Sequence, residues 1–549
     1  MSGFSLSSLL LAGALAVPVA MLLACLWSRQ WLRRLPSLLW LAPVPALAAS
    51  LFGTGAPPLL LGRVPFLVTV ALDVPGAMLL GVAGLLWIAA GVCASGFLLT
   101  YPHPGRFSVC WLLTLIGNIG VFMTADLASF YLAFALVSIP AYGLVVRDET
   151  AQAQRAGAIY MALTLLGENL LLIGFVLLAA GVPGGSLVIR DCVAALPESP
   201  WRDPALALLI AGFGLKAGLI PLHFWMPLTY RAAPIPAAAV LSGAAVKAGV
   251  IGLIRFLPLG QELPEWGGIL AIVGLLSAFY GVAVGITQAN PKTVLAYSSI
   301  SQMGLIAAVL GVGLVNGDRD AAVVAAFYAE RHTLVKGALF LVVGLVAATG
   351  SCRLWSALLP AALLALSLGG LPVTGGALAK LAVKASLGES VVATLATVAA
   401  AGTTLLMLHF LRRLQTAAAD QELERGSPRG LVSPWLAMAL ASVAVPVALY
   451  PAAGFGSPVH ALAPAALVAA LSPVLLGGIL AVGLWRWIPR LPSVPEGDIV
   501  VVGEAAARAS VAWGAALERA ETVLKRWPVA CLSLLVVAII LGALMFAGR

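Results

Sequence analysis

The stretch ALLIAGFGLKAGLIPLHFWMP, from Ala207 to Pro227, combines an apolar helical pattern with a lysine at its centre. Lys216 has apolar residues on both sides, and the membrane interior penalises a charged side chain by about 2.5–3.5 kcal/mol on insertion scales. The glycines around Lys216 and the following Pro221 weaken a helical backbone, so we expect this segment to break inside the membrane. Broken helices are tolerated where they line a cavity, and they can bind ions there.

The composition is that of a membrane protein. The 549 residues are 61% hydrophobic and 10% charged, with a mean hydropathy of +1.05, whereas soluble chains are about 45–50% apolar and about 25% charged. We predict an all-α polytopic membrane protein with about 16 transmembrane helices (about 14 as the lower bound), since one span needs about 20 apolar residues. The expected spans are 4–27 (a retained helix), 36–53, 76–99, 108–124, 126–146, 156–181, 205–224, 234–257, 266–288, 293–314, 321–348, 355–385, 388–411, 433–451, 461–487 and 527–548.

Loop charges predict the orientation. Most Lys and Arg residues outside these spans fall on one side of the membrane, as the positive-inside rule requires when the N-terminus lies outside a bacterial-type inner membrane. The net charge of +9 then reflects topology, and we expect no nucleic-acid partner. The six cysteines form no CxxC pair and no nucleotide-binding motif is visible, so we expect no metal, cofactor or redox centre on this chain. Whether the chain belongs to an enzyme complex stays open.

Further charges lie inside apolar runs. Lys247, Lys336 and Lys380 each have apolar residues on both sides, so snorkelling from a helix end does not explain them. His332 precedes Lys336 by four residues and therefore shares a helical face with it. Histidine titrates near neutrality and desolvated lysines exchange protons more readily, so this pattern favours a proton relay.

Five motifs in one order carry a family resemblance. They span about residues 60–415 and resemble the antiporter-like subunits shared by respiratory complex I, multisubunit cation/proton antiporters and membrane-bound hydrogenases. The motifs are GLKAGLIPLHFWMP, AAPIPAAAVLSGAAVKAGVIGLIRF, NPKTVLAYSSISQMGLI, HTLVKGALFLVVG and GLPVTGGALAK.

The resemblance implies two inverted five-helix repeats, each with a broken helix and each forming a half-channel for protons. It makes Lys216 and Lys380 the channel lysines, Lys247 the connecting lysine, and His332 with Lys336 the central relay. The implied regions are N-terminal helices at 1–105, the first repeat at 106–257, the second repeat at 258–411, and C-terminal helices at 412–549 with a cytoplasmic amphipathic segment at 488–526.

One motif departs from the family pattern. The fifth helix of these subunits has a glutamate that pairs with the first channel lysine, but the stretch FALVSIPAY has Ala135 at that position. Glu168, in the middle of the next span, is the carboxylate deep in the first repeat. Since a buried, unpaired carboxylate is costly, we expect Glu168 to replace the missing acid, to face Lys216 or Lys247, and to share a cavity with Ala135.

The resemblance favours a proton-translocating subunit of a multisubunit complex related to NADH:quinone oxidoreductase, hydrogenase-type or cation/proton antiporter assemblies. Its expected partners are other membrane subunits, lipid and protons, with a monovalent cation as a second candidate substrate. Two alternatives stay open. One is a stand-alone secondary transporter, and the other is a scaffold subunit whose channel has degenerated.

Overall fold

Apolar helices build this protein, because a chain inside lipid must satisfy every backbone N–H and C=O group within the protein. The computed structural model describes residues 5–61, 68–98, 104–349, 354–420, 429–501 and 518–519. Residues 1–496 form one compact unit. Of a second unit, Gly497–Arg549, only 497–501 and 518–519 are described. Most of the expected amphipathic segment 488–526 and the whole expected span 527–548 therefore lie outside the described residues.

The N-terminal region contains four helices and a small two-stranded sheet. The strands are β1 (Leu59–Leu61) and β2 (Val68–Val70), which pair antiparallel with Leu60 opposite Thr69. The helices are α1 (Leu6–Trp27), α2 (Arg29–Leu38), α3 (Val44–Phe52) and α4 (Val74–Leu98).

The middle of the chain contains nine described helices, and one π-helical turn (Leu241–Ala245) joins the last two. These helices are α5 (Pro104–Met123), α6 (Leu127–Ser138), α7 (Ala141–Val145), α8 (Ala151–Ala180), α9 (Ile189–Ala195), α10 (Arg202–Ala217), α11 (Trp225–Ala232), α12 (Ile235–Val240) and α13 (Lys247–Phe256).

Eight further helices are described after α13. They are α14 (Pro264–Gly285), α15 (Pro291–Asn316), α16 (Ala321–Thr349), α17 (Leu354–Gly369), α18 (Gly375–Leu387), α19 (Val391–Asp420), α20 (Arg429–Ala452) and α21 (Pro464–Leu484). The central one is α16, which packs against α4, α15, α17, α18 and α20. Nearly all of its residues are buried, so it carries side chains into the interior of the protein.

Twelve described segments are long and apolar enough to cross a membrane, and they confirm the prediction of an all-α polytopic membrane protein. They correspond to α1, α4, α5, α6 with α7, α8, α12 with α13, α14, α15, α16, α19, α20 and α21. Three other expected spans are short or interrupted helices: 36–53 contains α3 and part of α2, 205–224 contains most of α10, and 355–385 is divided between α17 and α18.

The two expected breaks have the same local cause. Helix α10 ends at Ala217 because Gly218 takes a left-handed conformation (φ +80°), and Gly370 does the same (φ +93°) directly after α17. Such φ values suit glycine, which has no Cβ. The lysines differ in position, since Lys216 precedes its break whereas Lys380 follows it on the next half-helix.

Candidate functional site

The ammonium group of Lys216 is held in the interior near the end of α10. Its Nζ donates a hydrogen bond to Ser138 Oγ at 2.8 Å, and the residue is only 6% exposed. The rings of Phe134 and Tyr160 lie 5.8 and 5.7 Å from this nitrogen. The cavity beside Lys216 measures about 10 Å³, which is room for about one water at most.

Glu168 lies on α8 and is also buried. Its carboxylate interacts electrostatically with Lys216 and with the Ser138 hydroxyl, but within the described part of the chain it accepts no hydrogen bond. Ser138 is therefore adjacent to both charged groups. This geometry agrees with the expected proximity of Glu168 and Lys216, although the two side chains do not form a direct hydrogen bond.

Ala135 does not have the expected position. On α6, Phe134 and Ser138 line the Lys216 cavity, and Ala135 does not. Residues 134 and 138 are one helical turn apart and share a face, whereas residue 135 points about 100° away. The side chain that α6 presents to Lys216 is therefore the Ser138 hydroxyl.

A second cluster joins the central helices. Lys247 Nζ lies 2.8 Å from His332 Nδ1, and both residues are buried. One turn further along α16, Lys336 Nζ donates to the carbonyl oxygen of Leu295 at 2.8 Å. The structure thus brings together the three residues that the sequence assigned to the connecting lysine and the relay.

The π-helical turn Leu241–Ala245 directly precedes this cluster. Asn118 Nδ2 donates to one of its carbonyl oxygens at 3.2 Å, and Trp87 Nε1 donates to Asn118 Oδ1 at 2.8 Å. The Thr333 hydroxyl lies 2.9 Å from a second carbonyl oxygen of the turn. Side chains from two other helices, α5 and α16, therefore lie against carbonyl oxygens that a π turn leaves without regular helical partners, and Trp87 on α4 holds one of these side chains.

At the second helix break, directly after α17, two cationic side chains donate to neighbouring carbonyl oxygens. Lys380 Nζ donates to the carbonyl oxygen of Gly369. The Arg331 guanidinium donates to the carbonyl oxygen of Ser367 at 3.0 Å and to Gln302 Oε1 at 2.9 Å. Carbonyl oxygens at a helix C-terminus carry partial negative charge, and this explains why both cations are bound at the end of α17.

Two neighbours of Arg331 complete this cluster. The Tyr328 ring centre lies 4.4 Å from the guanidinium carbon, and the Tyr328 hydroxyl donates to Gln302 Oε1 at 2.9 Å. Glu330 is fully buried, and its carboxylate has no hydrogen-bond partner among the described residues. Arg331 and Glu330 were not predicted from the sequence, although both directly precede His332 in the run AERHTLVKG. Two charged side chains inside a membrane span are energetically costly and therefore indicate a function.

A wide cavity extends to Lys380. It measures about 730 Å³, and its wall is formed by α15, α16, α18, α19 and the start of α21. Tyr328, Lys380, Lys384 and Thr397 are among the lining residues. Lys380 therefore borders a space large enough for many waters, whereas the cavity at Lys216 has room for about one.

An ion pair between Asp73, just outside the α4 span, and Arg255, near the end of α13, fixes the start of α4. Arg255 Nη2 donates to Asp73 Oδ1 at 2.7 Å and to the carbonyl oxygen of Phe122 at 2.7 Å. Partial burial alone would raise the pKa of Asp73, but the Arg255 charge and the Gly76 N–H group hold this pKa below its usual value. The pair ties α4, α5 and α13 together at one end of the bundle.

Within the described ranges, no group of three His, Cys, Asp or Glu residues is placed to hold a metal ion. The buried charges instead form a row of single titratable groups on neighbouring helices. Together with the twelve apolar spans, this row defines a polytopic membrane subunit of the antiporter-like class.

Comparisons with known proteins agree with this class. Residues 124–407, more than half of the chain, match the family described as NADH:quinone oxidoreductase/Mrp antiporter, transmembrane region. The chain belongs to this family. It is 30% identical to hydrogenase-4 component B of Escherichia coli over 292 residues, which cover 51% of this chain and 43% of that protein.

A second relative is NADH-quinone oxidoreductase subunit N of Paraburkholderia phymatum, which is 31% identical over 228 residues, 40% of this chain and 46% of that protein. The chain thus spans less than half the length of these two curated relatives. Among solved structures, a chain of the Mrp complex from Dietzia has a similar fold, with a TM-score of 0.71 and 22% identity over 99% of this chain and 63% of that chain.

Proposed function

We propose that this protein is a proton-translocating subunit of a multisubunit membrane complex. The observation that carries the proposal is the row of buried titratable side chains on adjacent helices, because intramembrane ionisable groups mark proton or ion pathways. The row consists of five buried residues, Glu168, Lys216, Lys247, His332 and Lys336, and the half-buried Lys380.

We infer that protons pass between neighbouring members of the row through side chains or water. At Gly249 on α13, two residues after Lys247, the backbone approaches that of Lys216 on α10. Lys247 contacts His332, and Lys336 lies one turn from His332. Each group can gain or lose a proton, so a proton can move along the row while the helices stay in place.

The likeness to hydrogenase-4, NADH-quinone oxidoreductase and Mrp subunits supports a place beside other membrane subunits. In this proposal residues 106–257 and 258–411 form two inverted repeats. The chain lies in a bacterial inner membrane with its N-terminus outside. A redox partner or an opposing cation gradient supplies the energy. A stand-alone transporter would instead be purified without partner subunits and would still transport its substrate. A degenerate scaffold would assemble but conduct no protons, and Ala135 is the residue that favours this candidate.

The first prediction tests Lys336. Replacing Lys336 with Ala in the intact complex should abolish coupled proton movement, because the relay loses the titratable group that follows His332 on α16. The measurement is proton flux into vesicles with a pH-sensitive dye. The matched control is Arg190→Ala, which removes an exposed cationic side chain from α9 and should leave proton flux near the wild-type rate. Normal flux in Lys336→Ala, with the complex assembled, would contradict the proposal.

A further inference from the structure

A cation that cannot give up its proton lies beside the second half of the row. This half comprises His332, Lys336 and Lys380. An arginine side chain stays protonated in proteins, and Arg331 is fully buried on α16 between the break carbonyls and the Tyr328 ring. Its hydrogen-bond acceptors, two backbone carbonyls and the Gln302 amide, are all neutral. The guanidinium therefore keeps a full positive charge beside Lys380.

Size does not prevent a metal cation from reaching this point. The cavity of about 730 Å³ extends to Lys380 and Tyr328, and at about 30 Å³ per water it holds roughly two dozen waters. Hydrated sodium or potassium ions fit into such a space. Discrimination at its inner end must therefore come from charge and from the available ligands.

The charge and the ligands at the inner end of the cavity are both unfavourable for a metal cation. Sodium prefers oxygen ligands, but the carbonyl oxygens of Ser367 and Gly369 already accept N–H groups from Arg331 and Lys380. A metal cation would also bring its whole charge next to a fixed positive charge in a medium of low dielectric constant, with no free acceptor among these carbonyl oxygens to compensate it, whereas the charge of a transferred proton resides on Lys380, whose ammonium group already donates to the Gly369 carbonyl oxygen. A proton needs no such ligands, because it moves by protonating and deprotonating side chains.

We propose that Arg331 is a specificity-determining residue, which excludes sodium and potassium from the path while protons pass between Lys336 and Lys380. This inference rests on the proposed proton path and adds that the path carries protons alone.

The test uses the intact complex in vesicles under an imposed sodium gradient, with a sodium-sensitive dye and a pH-sensitive dye in parallel. Arg331→Gln removes the charge but keeps hydrogen-bonding groups, and we expect a sodium flux roughly tenfold or more above the wild-type background. Arg331→Lys retains the charge and should stay near that background. Glu330→Gln alters the charge of the neighbouring residue and should also leave sodium excluded.

Sodium flux at the wild-type background in an assembled Arg331→Gln complex would overturn the proposal, and so would an equal leak in Arg331→Lys. If the Arg331→Gln complex fails to assemble, the wild-type complex still tests whether sodium enters the proton path. Raising sodium at constant ionic strength should leave its proton flux unchanged, and competition by sodium would overturn the inference. A wild-type complex that moves no protons would instead contradict the proposed function.

Discussion

A single hydroxyl group is placed beside both charges in the first half of the row. Ser138 accepts a hydrogen bond from Lys216 and lies next to the Glu168 carboxylate. A hydroxyl can donate and accept at the same time, so Ser138 can connect the two groups without a direct ion pair. Separation of the charges would then favour release of the Lys216 proton, because an opposite charge nearby stabilises the ammonium form.

Glu168 should therefore be as important as Lys216 for transport. Glu168→Gln keeps the shape of the side chain but removes its charge, and we expect proton flux to fall roughly a hundredfold, the lower end of the effect of losing a general acid–base group. Lys216→Ala should reduce flux to the same extent. The measurement is the initial rate of proton uptake by vesicles that contain the assembled complex.

The control for this change is Asn169→Ala, which alters the next residue on α8, an exposed one. It should leave flux near the wild-type rate. A Glu168→Gln complex with wild-type flux would show that the first half of the row does not need this carboxylate, and the scaffold alternative would gain support.

At the scale of elements, the π-helical turn before Lys247 determines where that lysine points. Asn118, held by Trp87, donates to a carbonyl oxygen of this turn, and the Thr333 hydroxyl lies 2.9 Å from a second one and equally far from a carbonyl oxygen of its own helix. The same helix then presents Lys247 to His332 at 2.8 Å. A loss of these donors would allow the turn to return to regular α-helix and would rotate Lys247 away from the histidine.

Thr333 allows an isosteric test. Thr333→Val keeps the shape but removes the hydroxyl, and Asn118→Ala removes the amide, so each should lower proton flux by roughly tenfold through a misplaced Lys247. Thr333→Ser retains the hydroxyl and should restore most of the flux. Thr114→Val is the matched control, since the buried Thr114 hydroxyl donates only to a carbonyl of its own helix, α5. Equal loss in Thr333→Val and Thr333→Ser would mean that packing, and not the hydrogen bond, positions the turn.

The sequence predicted the helices and both breaks, because apolar run length and glycine with proline are local signals. It also selected Lys247, His332 and Lys336, since charges in apolar runs are visible in the sequence alone. It did not predict the contact of Ser138 with Lys216, which depends on how α6 packs against α10. Nor did it predict that Arg331 binds carbonyls 36 residues further along the chain, because such a pairing arises from tertiary packing.

Over the whole molecule, the two ends of the row differ in their access to water. The cavity at Lys216 measures about 10 Å³ and the cavity at Lys380 about 730 Å³. In this conformation the space beside Lys380 is large enough for a body of water, whereas the space beside Lys216 admits about one molecule. We therefore expect Lys380 to exchange protons with water and Lys216 to exchange them through its neighbours.

This asymmetry can be measured by cysteine labelling in a chain whose six native cysteines are replaced. Thr397→Cys places a thiol on the wall of the large cavity, and Thr164→Cys places one beside the Lys216 cavity. Thiols react as thiolates, which need water around them, so a polar maleimide should modify the first position roughly tenfold faster or more. Both should react fully after unfolding in detergent, which controls for reagent and expression. Equal rates in the folded complex would mean that water reaches Lys216 as freely as Lys380, and the two halves of the row would then have to alternate between open and closed states.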